Sequence, residues 1–164
     1  LNLNFFCHQP PAPDAERDAR WKQALAPYYS EVGADFVAPT PVSNRAPFDE
    51  ASCQLVEQLR PEVVSFHFGL PQADLLQRVQ ASGAKVLCTA TTVQEAVWLE
   101  RNGCDAIIAM GYEAGGHRGM FLSDAITSQI GTFALVPQVA DAVRVPVIAA
   151  GGIADHRGLV AALA

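Results

Sequence analysis

Residues 85–110 read KVLCTATTVQEAVWLERNGCDAIIAM, in which one amphipathic segment lies between two short apolar runs. Thr92 followed three residues later by Glu95 is the pattern of a helix N-terminal capping box, and a glycine ends the amphipathic segment. The flanking runs, 85–89 and 106–110, lack the alternation of a half-exposed strand and are typical of strands in a parallel sheet. The stretch therefore predicts a strand–helix–strand unit with parallel strands.

The same alternation extends in both directions from this unit. The sequence predicts further strands at 1–7, 63–68 and 145–150, and further helices at 14–31, 49–60, 71–82, about 134–143 and from an N-cap at Asp155 onwards. Alternating strands and helices indicate an α/β fold with a parallel sheet, either a small open doubly wound sheet or most of a (β/α)8 TIM barrel. The GxGxxG dinucleotide motif is absent after the first strand, which disfavours the open nucleotide-binding sheet.

Composition excludes several classes of protein. The 164 residues are 50% hydrophobic and 17% charged with a net charge of −6, which excludes an intrinsically disordered chain. The negative charge and the lack of Lys/Arg clusters argue against nucleic acid or an anionic membrane as a partner. No apolar run reaches the ~18 residues of a membrane-spanning helix, so we expect a cytoplasmic protein.

Cysteine spacing predicts neither a disulfide framework nor a metal site. The four cysteines are far apart in sequence and form no CxxC pair or Cys/His pair at zinc spacing: Cys7, Cys53, Cys88 and Cys104. Three of them lie inside apolar runs, where a free cysteine behaves as a small buried hydrophobic residue. We therefore expect unpaired thiols in a reducing compartment and no bound metal.

The strongest functional signal is a long glycine-rich segment directly after the strand at 106–110. This histidine loop, residues 111–132, reads GYEAGGHRGMFLSDAITSQIGT. In parallel α/β proteins the loops at the carboxyl ends of the strands build the active site. Its glycines allow a flat ligand to approach the main chain, His117 has an imidazole suited to proton transfer near neutral pH, and Arg118 supplies positive charge.

Weaker signals lie on three other strands. Gly151 and Gly152 end the strand at 145–150, and they form either an anion-binding turn or a tight turn that needs glycine for geometry alone. Asn4 is a polar residue within an apolar strand, so it needs either a ligand or a neighbouring group as partner. His67 ends the strand at 63–68, where it either lines the site or belongs to the core.

Four stretches together resemble one known family. GYEAGGHRG, with NLNFFCH, SFHFGLP and VPVIAAGGIAD, resembles the nitronate monooxygenases, formerly called 2-nitropropane dioxygenases, over essentially the whole chain. The resemblance implies an FMN-dependent (β/α)8 barrel that oxidises alkyl nitronates with O2 to a carbonyl compound and nitrite. It implies small-molecule partners, namely a nitronate or nitroalkane and O2, and leaves a homo-oligomer open.

The resemblance also assigns residues to roles. The implied set is as follows: catalytic His117; FMN contacts Asn4, Met110, Gly115, Gly116, Gly151 and Gly152; substrate contacts Arg118 and His67; no metal ligand. One departure concerns Met110, since members of the family often have Gln at this position. A glutamine can hydrogen-bond the flavin edge, whereas methionine offers packing and a weakly accepting sulfur.

The resemblance further implies that residues 1–164 are one partial FMN-binding barrel domain. The five predicted strands match the family's third through seventh, and the first two strands and the eighth have no counterpart. A complete barrel needs roughly 250 residues. Two alternatives to the monooxygenase remain: an FMN- and NADH-dependent enoyl-acyl-carrier-protein reductase, which has a similar loop, and an inactive barrel fragment.

Overall fold

The computed structural model of the protein describes residues 1–39 and 45–164. These residues form two compact units. One consists of Leu1–His8 with Pro47–Ala164, and the other is Gln9–Ala46. All candidate site residues belong to the first unit. The assignment of the whole chain to one FMN-binding domain stays a prediction.

The first unit is built on a five-stranded sheet in which every neighbouring pair of strands is parallel and the spatial order follows the chain. The strands are β1 (Asn2–Phe6), β2 (Val63–His67), β3 (Lys85–Ala90), β4 (Ala106–Met110) and β5 (Val147–Ala150). Helices follow the strands in the order that the sequence predicts. They are α1 (Ala15–Ala24), α2 (Ala26–Glu31), α3 (Glu50–Leu59), α4 (Ala73–Ala81), α5 (Val93–Arg101), α6 (Thr132–Ala142) and α7 (His156–Leu163).

The single helix predicted over 14–31 is wrong, because two helices occupy this span within the second unit. Helix α1 begins after Asp14, whose side chain accepts a hydrogen bond from the backbone N–H of Arg17. It ends at Leu25, and Pro27 lies in the first turn of α2. Proline has no N–H to donate to the preceding turn, which disfavours it within a helix and suits it to the first turn, and a new helix begins here.

One of the two hydrogen bonds of the predicted capping box at residues 92–95 is present, and the other is replaced. The Thr92 side chain accepts the backbone N–H of Glu95 at 3.2 Å, which fixes the start of α5. In a complete capping box the Glu95 carboxylate would return to the Thr92 N–H. It instead accepts the N–H and the hydroxyl of Thr91, both at 2.7 Å, and also contacts the histidine loop.

The core lies between the sheet and the helices α3 to α6. Strand residues facing the helices are fully buried: Val64, Phe66, Val86, Cys88, Ile107 and Ala109. The opposite face carries Asn4 beside Ser65, and Phe6 beside His67, in register on adjacent strands. Alternation along each strand puts Thr89 and Met110 on this second face as well. The second face is less covered, and its carboxyl-terminal edge is where the candidate site lies.

All four cysteines are buried and unpaired, which confirms the prediction of free thiols. Burial raises the pKa of the Cys7 and Cys104 thiols to about 12. Among the described residues, no helix combines the length and apolar character needed to cross a membrane.

Candidate active site

The histidine loop follows β4 and lies at the carboxyl ends of the strands. Its backbone is tied back to the sheet at its start, where the N–H of Gly111 donates to the carbonyl of Ala150 at 2.9 Å. A single 3₁₀ turn, Ile126–Ser128, interrupts the loop before α6 begins. The loop therefore holds His117 at the edge of the sheet that the sequence predicts for the active site.

His117 is exposed, and its ring packs against two phenylalanines. Its ring centroid lies 5.1 Å from that of Phe6 and 6.0 Å from that of Phe68, both in edge-on geometry. Within residues 1–39 and 45–164, neither ring nitrogen of His117 has a hydrogen-bond partner. An imidazole that is held by ring packing and has free nitrogens can accept a proton from a ligand beside it.

His67 lies at the end of β2 and uses both ring nitrogens within the protein. Its Nε2 lies 3.0 Å from the backbone carbonyl oxygen of His117, and its Nδ1 lies 3.0 Å from the hydroxyl of Thr89. A carbonyl only accepts, so Nε2 carries the hydrogen, and in the neutral ring Nδ1 then accepts from the Thr89 hydroxyl. Burial is the main cause that lowers the pKa of His67 below its usual value, which agrees with this neutral form.

Gly119 packs directly against this pair of residues. A Cβ built at Gly119 would lie 2.8 Å from Cε1 of His67 and 2.8 Å from Cγ2 of Thr89. Both contacts are shorter than van der Waals distance, so only glycine fits at this point without displacement. His67 therefore fixes the position of the loop around His117, and its contact with a substrate stays a prediction.

Phe68 adopts a left-handed backbone conformation with φ of 68° directly after β2. This conformation is strained for a bulky residue and commonly marks functional positions. The ring of Phe68 lies 4.6 Å from that of His67 and lines a cavity of about 570 Å³. The other residues that line this cavity are Tyr112, Arg118, Met120, Ile126 and Gln129.

The Arg118 side chain turns back onto its own loop. Its Nη1 donates to the carbonyl oxygens of Gly111 at 3.0 Å, Tyr112 at 3.3 Å and Ala114 at 3.4 Å. Nε and Nη2 of Arg118 are buried and have no hydrogen-bond partner in the described structure. A substrate-binding role for Arg118 stays a prediction. The side chain contributes positive charge to the wall of the cavity.

The glycine turn at the end of β5 packs against the histidine loop. Gly151 and Gly152 have φ of 129° and 67°, which glycine adopts without strain. A Cβ at Gly151 would lie 2.9 Å from the backbone nitrogen of Ala114, and one at Gly152 would lie 3.0 Å from Cβ of Glu113. Close packing and positive φ thus account for both glycines, and their role toward an anion stays a prediction.

Glu113 holds the start of α6. One of its carboxylate oxygens accepts both the N–H and the hydroxyl of Thr132 at 2.8 Å, and these bonds lower the pKa of the Glu113 carboxyl. Asp155 caps α7 in the same way, with its side chain accepting the N–H groups of Arg157 and Gly158. The interpretation of Asp155 as an N-cap is confirmed.

The predicted flavin contacts of β1 and of the loop leave space for a flat ligand. Asn4 is exposed rather than buried, and its Oδ1 accepts the hydroxyl of Ser65 at 2.9 Å, which leaves its amide N–H groups as donors. A Cβ at Gly115 or at Gly116 would meet nothing within 4 Å. Met110 is buried at the end of β4. These positions fit a planar group lying against the loop backbone.

Glu95 is the residue that sequence reasoning missed. Its side chain is 1% exposed, and its Oε1 accepts the backbone N–H groups of Phe121 at 2.7 Å and Leu122 at 3.1 Å. The available signal was an acidic residue in the first turn of a helix beside the apolar Val93 and Ala96. That signal suggested a cap and nothing more, because the partner segment is 26 residues away in the chain.

The fold is that of a TIM-barrel type of α/β protein, and a histidine-bearing loop lies at the carboxyl ends of its strands. No cluster of three or more His, Cys, Asp or Glu suited to a metal ion occurs in the described part of the chain. The family model described as nitronate monooxygenase matches residues 1–164. The chain therefore belongs to the nitronate monooxygenase family, a family of oxidoreductases.

Relatives and solved structures agree with this assignment. The nitronate monooxygenase of Paraburkholderia phytofirmans is 44% identical over 165 residues, which cover 100% of this chain and 45% of that protein. The nitroalkane oxidase of Streptomyces ansochromogenes is similar in structure, with a TM-score of 0.76 and 33% identity over 89% of this chain and 41% of that one. FabK from Thermotoga maritima has a TM-score of 0.59 and 30% identity over 87% of this chain and 42% of that one.

These neighbours are TIM barrels, so the fold prediction is confirmed as a portion of about five βα units. The chain spans less than half the length of the Paraburkholderia relative.

Proposed function

We propose that this chain contributes the histidine loop to an FMN-dependent nitronate monooxygenase, which oxidises alkyl nitronates with O2 to a carbonyl compound and nitrite. The strongest support is the position of His117 at the carboxyl ends of the strands with both ring nitrogens unbonded. Its ring contacts Phe68, which lines a cavity of about 570 Å³ together with Arg118. Membership of the nitronate monooxygenase family over residues 1–164 supports nitronate oxidation as the reaction in which this histidine takes part.

FMN is the proposed cofactor, and it would supply the electron transfer from substrate to O2 that no side chain of this chain can perform. We assign its contacts to the amide of Asn4, to Met110, and to the backbone at Gly115 and Gly116. The turn at 151–152 is assigned to the phosphate. The open space over Gly115 and Gly116 and the free amide donors of Asn4 support this assignment.

Three side chains of this chain are proposed to act on the substrate. His117 accepts a proton from a neutral nitroalkane, and the positive charge of Arg118 attracts the anionic nitronate. Burial lowers the pKa of His67 and favours its neutral form, so His67 lines the site without adding charge. The apolar wall of the cavity, with Phe68, Met120 and Ile126, fits the alkyl part of the substrate.

Two features bear on location and partners. Four buried, unpaired thiols fit a reducing compartment, so we propose a cytoplasmic location. The proposed partners are small molecules, namely a nitronate or nitroalkane and O2. A homo-oligomer is compatible with the sequence and is left for measurement of the native mass.

Product formation tests the proposal. The FMN-reconstituted protein is incubated in air with a preformed alkyl nitronate, and nitrite release and O2 uptake are measured with and without NADH. We expect nitrite release and O2 uptake that depend on FMN and do not require NADH. Turnover that requires NADH and an enoyl thioester would favour the reductase, and absence of both reactions would favour an inactive portion of a barrel.

A further inference from the structure

Glu95 is a buried acid that the proposed reaction does not use directly. Its carboxylate is 1% exposed and accepts four hydrogen bonds, all from uncharged donors. Oε2 bonds the N–H and the hydroxyl of Thr91, and Oε1 bonds the N–H groups of Phe121 and Leu122. A buried carboxylate is costly unless its oxygens are fully bonded, and its place in the first turn of α5 contributes further stabilisation.

The four bonds require a carboxylate rather than a similar polar group. Each oxygen accepts two donors, whereas a glutamine amide has one accepting oxygen and one donating NH2 group. In Glu95→Gln, the NH2 group would face either the two donors of Thr91 or the two loop N–H groups. One pair of bonds is therefore lost, and donors are left facing donors.

The loop side of this contact lies close to His117 in the chain. Only three residues, Arg118 to Met120, separate His117 from Phe121. His67 bonds the carbonyl of His117, and Gly119 packs so closely that a Cβ there would lie 2.8 Å from His67 and from Thr89. The segment 117–122 is thus held at its start by His67 and at its end by Glu95.

Both of these contacts converge on the end of β3. Thr89 bonds the ring of His67, and Thr91 bonds the carboxylate of Glu95. The end of β3 therefore sets the position of the segment through two separate side chains. Releasing the Glu95 contact removes the hydrogen bonds at the far end of the segment. The segment can then shift, and the His117 ring, packed on Phe6 and Phe68, shifts with it relative to a bound ligand.

We propose that Glu95 is a positioning residue that holds His117 in place for proton abstraction from neutral nitroalkanes. This inference rests on the proposed function of His117 as the base. Proton transfer needs the base within hydrogen-bond reach of the carbon acid, so it is sensitive to small displacements of the ring. A preformed nitronate has already lost this proton, and its oxidation is much less sensitive to the position of His117.

The test compares Glu95→Gln with Glu100→Gln in the FMN-loaded protein. Glu100 is a matched control on the same helix, because one of its oxygens accepts two backbone N–H groups, from Arg144 and Val145, at the opposite end of the sheet. We measure kcat and KM for a neutral nitroalkane and for its nitronate. Exchange rates of the Phe121 and Leu122 amides are measured on the protein alone.

We expect Glu95→Gln to lower kcat/KM for the neutral nitroalkane by roughly tenfold or more, mainly through kcat, and to change nitronate turnover less than about threefold. It adds no further loss for the neutral nitroalkane in a His117→Asn background. The amides of Phe121 and Leu122 exchange at least about tenfold faster, and Glu100→Gln changes none of these quantities.

Equal loss with both substrates, no loss, or an additive loss with His117→Asn would overturn the proposal. If Glu95→Gln does not fold, Thr91→Val removes one of the four donors with little change in shape and shifts the same substrate ratio by a smaller factor; an unchanged ratio would overturn the proposal. A wild-type protein that oxidises neither substrate contradicts the proposed function, and the catalytic part of this inference fails with it. The amide exchange rates of Phe121 and Leu122 then test on their own whether Glu95 stabilises this part of the loop.

Discussion

At the scale of single residues, His117 carries the chemical argument. Its ring is fixed by edge contacts with Phe6 and Phe68, its backbone carbonyl is held by His67, and its nitrogens are free. This combination orients an imidazole without using its proton-accepting atom. The residue is thereby suited to remove a proton from a substrate carbon.

The His117→Asn variant separates proton removal from oxidation. We expect a loss on the order of 10²-fold in kcat/KM for a neutral nitroalkane, because asparagine cannot act as a base. Turnover of the preformed nitronate should fall much less. Steady-state O2 uptake with each substrate measures both values, and an equal loss with both would show that His117 is not the base.

Gly119 and Gly115 lie in the same loop and differ in the space that surrounds each of them. Ala at position 119 would place its Cβ 2.8 Å from His67 and from Thr89, whereas a Cβ at position 115 meets no atom within 4 Å. We expect Gly119→Ala to lower the free energy of unfolding by about 1–3 kcal/mol. Gly115→Ala should change it by less than about 0.5 kcal/mol.

The same pair also tests the flavin contact. Because the open side of Gly115 is assigned to FMN, Gly115→Ala should weaken FMN binding while leaving the fold unchanged. Denaturant unfolding and FMN titration measure the two effects. Tight FMN binding by Gly115→Ala would remove this residue from the cofactor site.

At the scale of elements, the contact between β2 and the histidine loop depends on neutral His67. Burial lowers its pKa, so the folded chain binds this proton only at a pH below that at which the unfolded chain binds it. The free energy of unfolding should therefore fall as the pH drops below about 6.5. His67→Gln keeps an N–H donor for the His117 carbonyl and cannot titrate.

We expect the fall in the free energy of unfolding between pH 7 and pH 5 to be smaller in His67→Gln than in the wild type. Urea unfolding at a series of pH values measures this difference. An identical pH dependence in the two proteins would contradict a lowered pKa for His67.

Local signals in the sequence predicted most of the elements. Thr92 and the glycine after α5 mark its ends through contacts within a few residues, and Asp155 does the same for α7. The helical periodicity of 14–31 predicts one helix, whereas Pro27, which has no N–H to donate, lies in the first turn of a second helix. This error lies where helical periodicity and the effect of proline compete within one segment.

The candidate site was predictable only in part, because several of its contacts join distant segments. The glycine content of the loop and its place after a strand pointed to His117. Nothing local indicated that Arg118 would turn back onto the carbonyls of Gly111 to Ala114, or that Glu95 would bond Phe121. These contacts depend on how β3 and β4 lie side by side, which is a property of the folded sheet.

At the scale of the whole molecule, the fold buries all four thiols away from solvent and from reagents dissolved in it. Their exposed fractions are 9% for Cys7, 0% for Cys53 and Cys88, and 4% for Cys104. Burial raises the pKa of each thiol, and the thiolate is the form that reacts. We expect slow reaction of the native protein with a disulfide reagent at pH 8 and rapid reaction of four thiols in denaturant. A thiol that reacts equally fast in both states would contradict the buried arrangement.

The most direct test of the central claim is an anaerobic reduction of the FMN-loaded protein. A preformed alkyl nitronate is added without NADH, and the visible absorbance of oxidised flavin is followed. We expect rapid bleaching by the nitronate and slow or no bleaching by NADH. Bleaching by NADH together with an unreactive nitronate would contradict the assignment of this chain to nitronate oxidation.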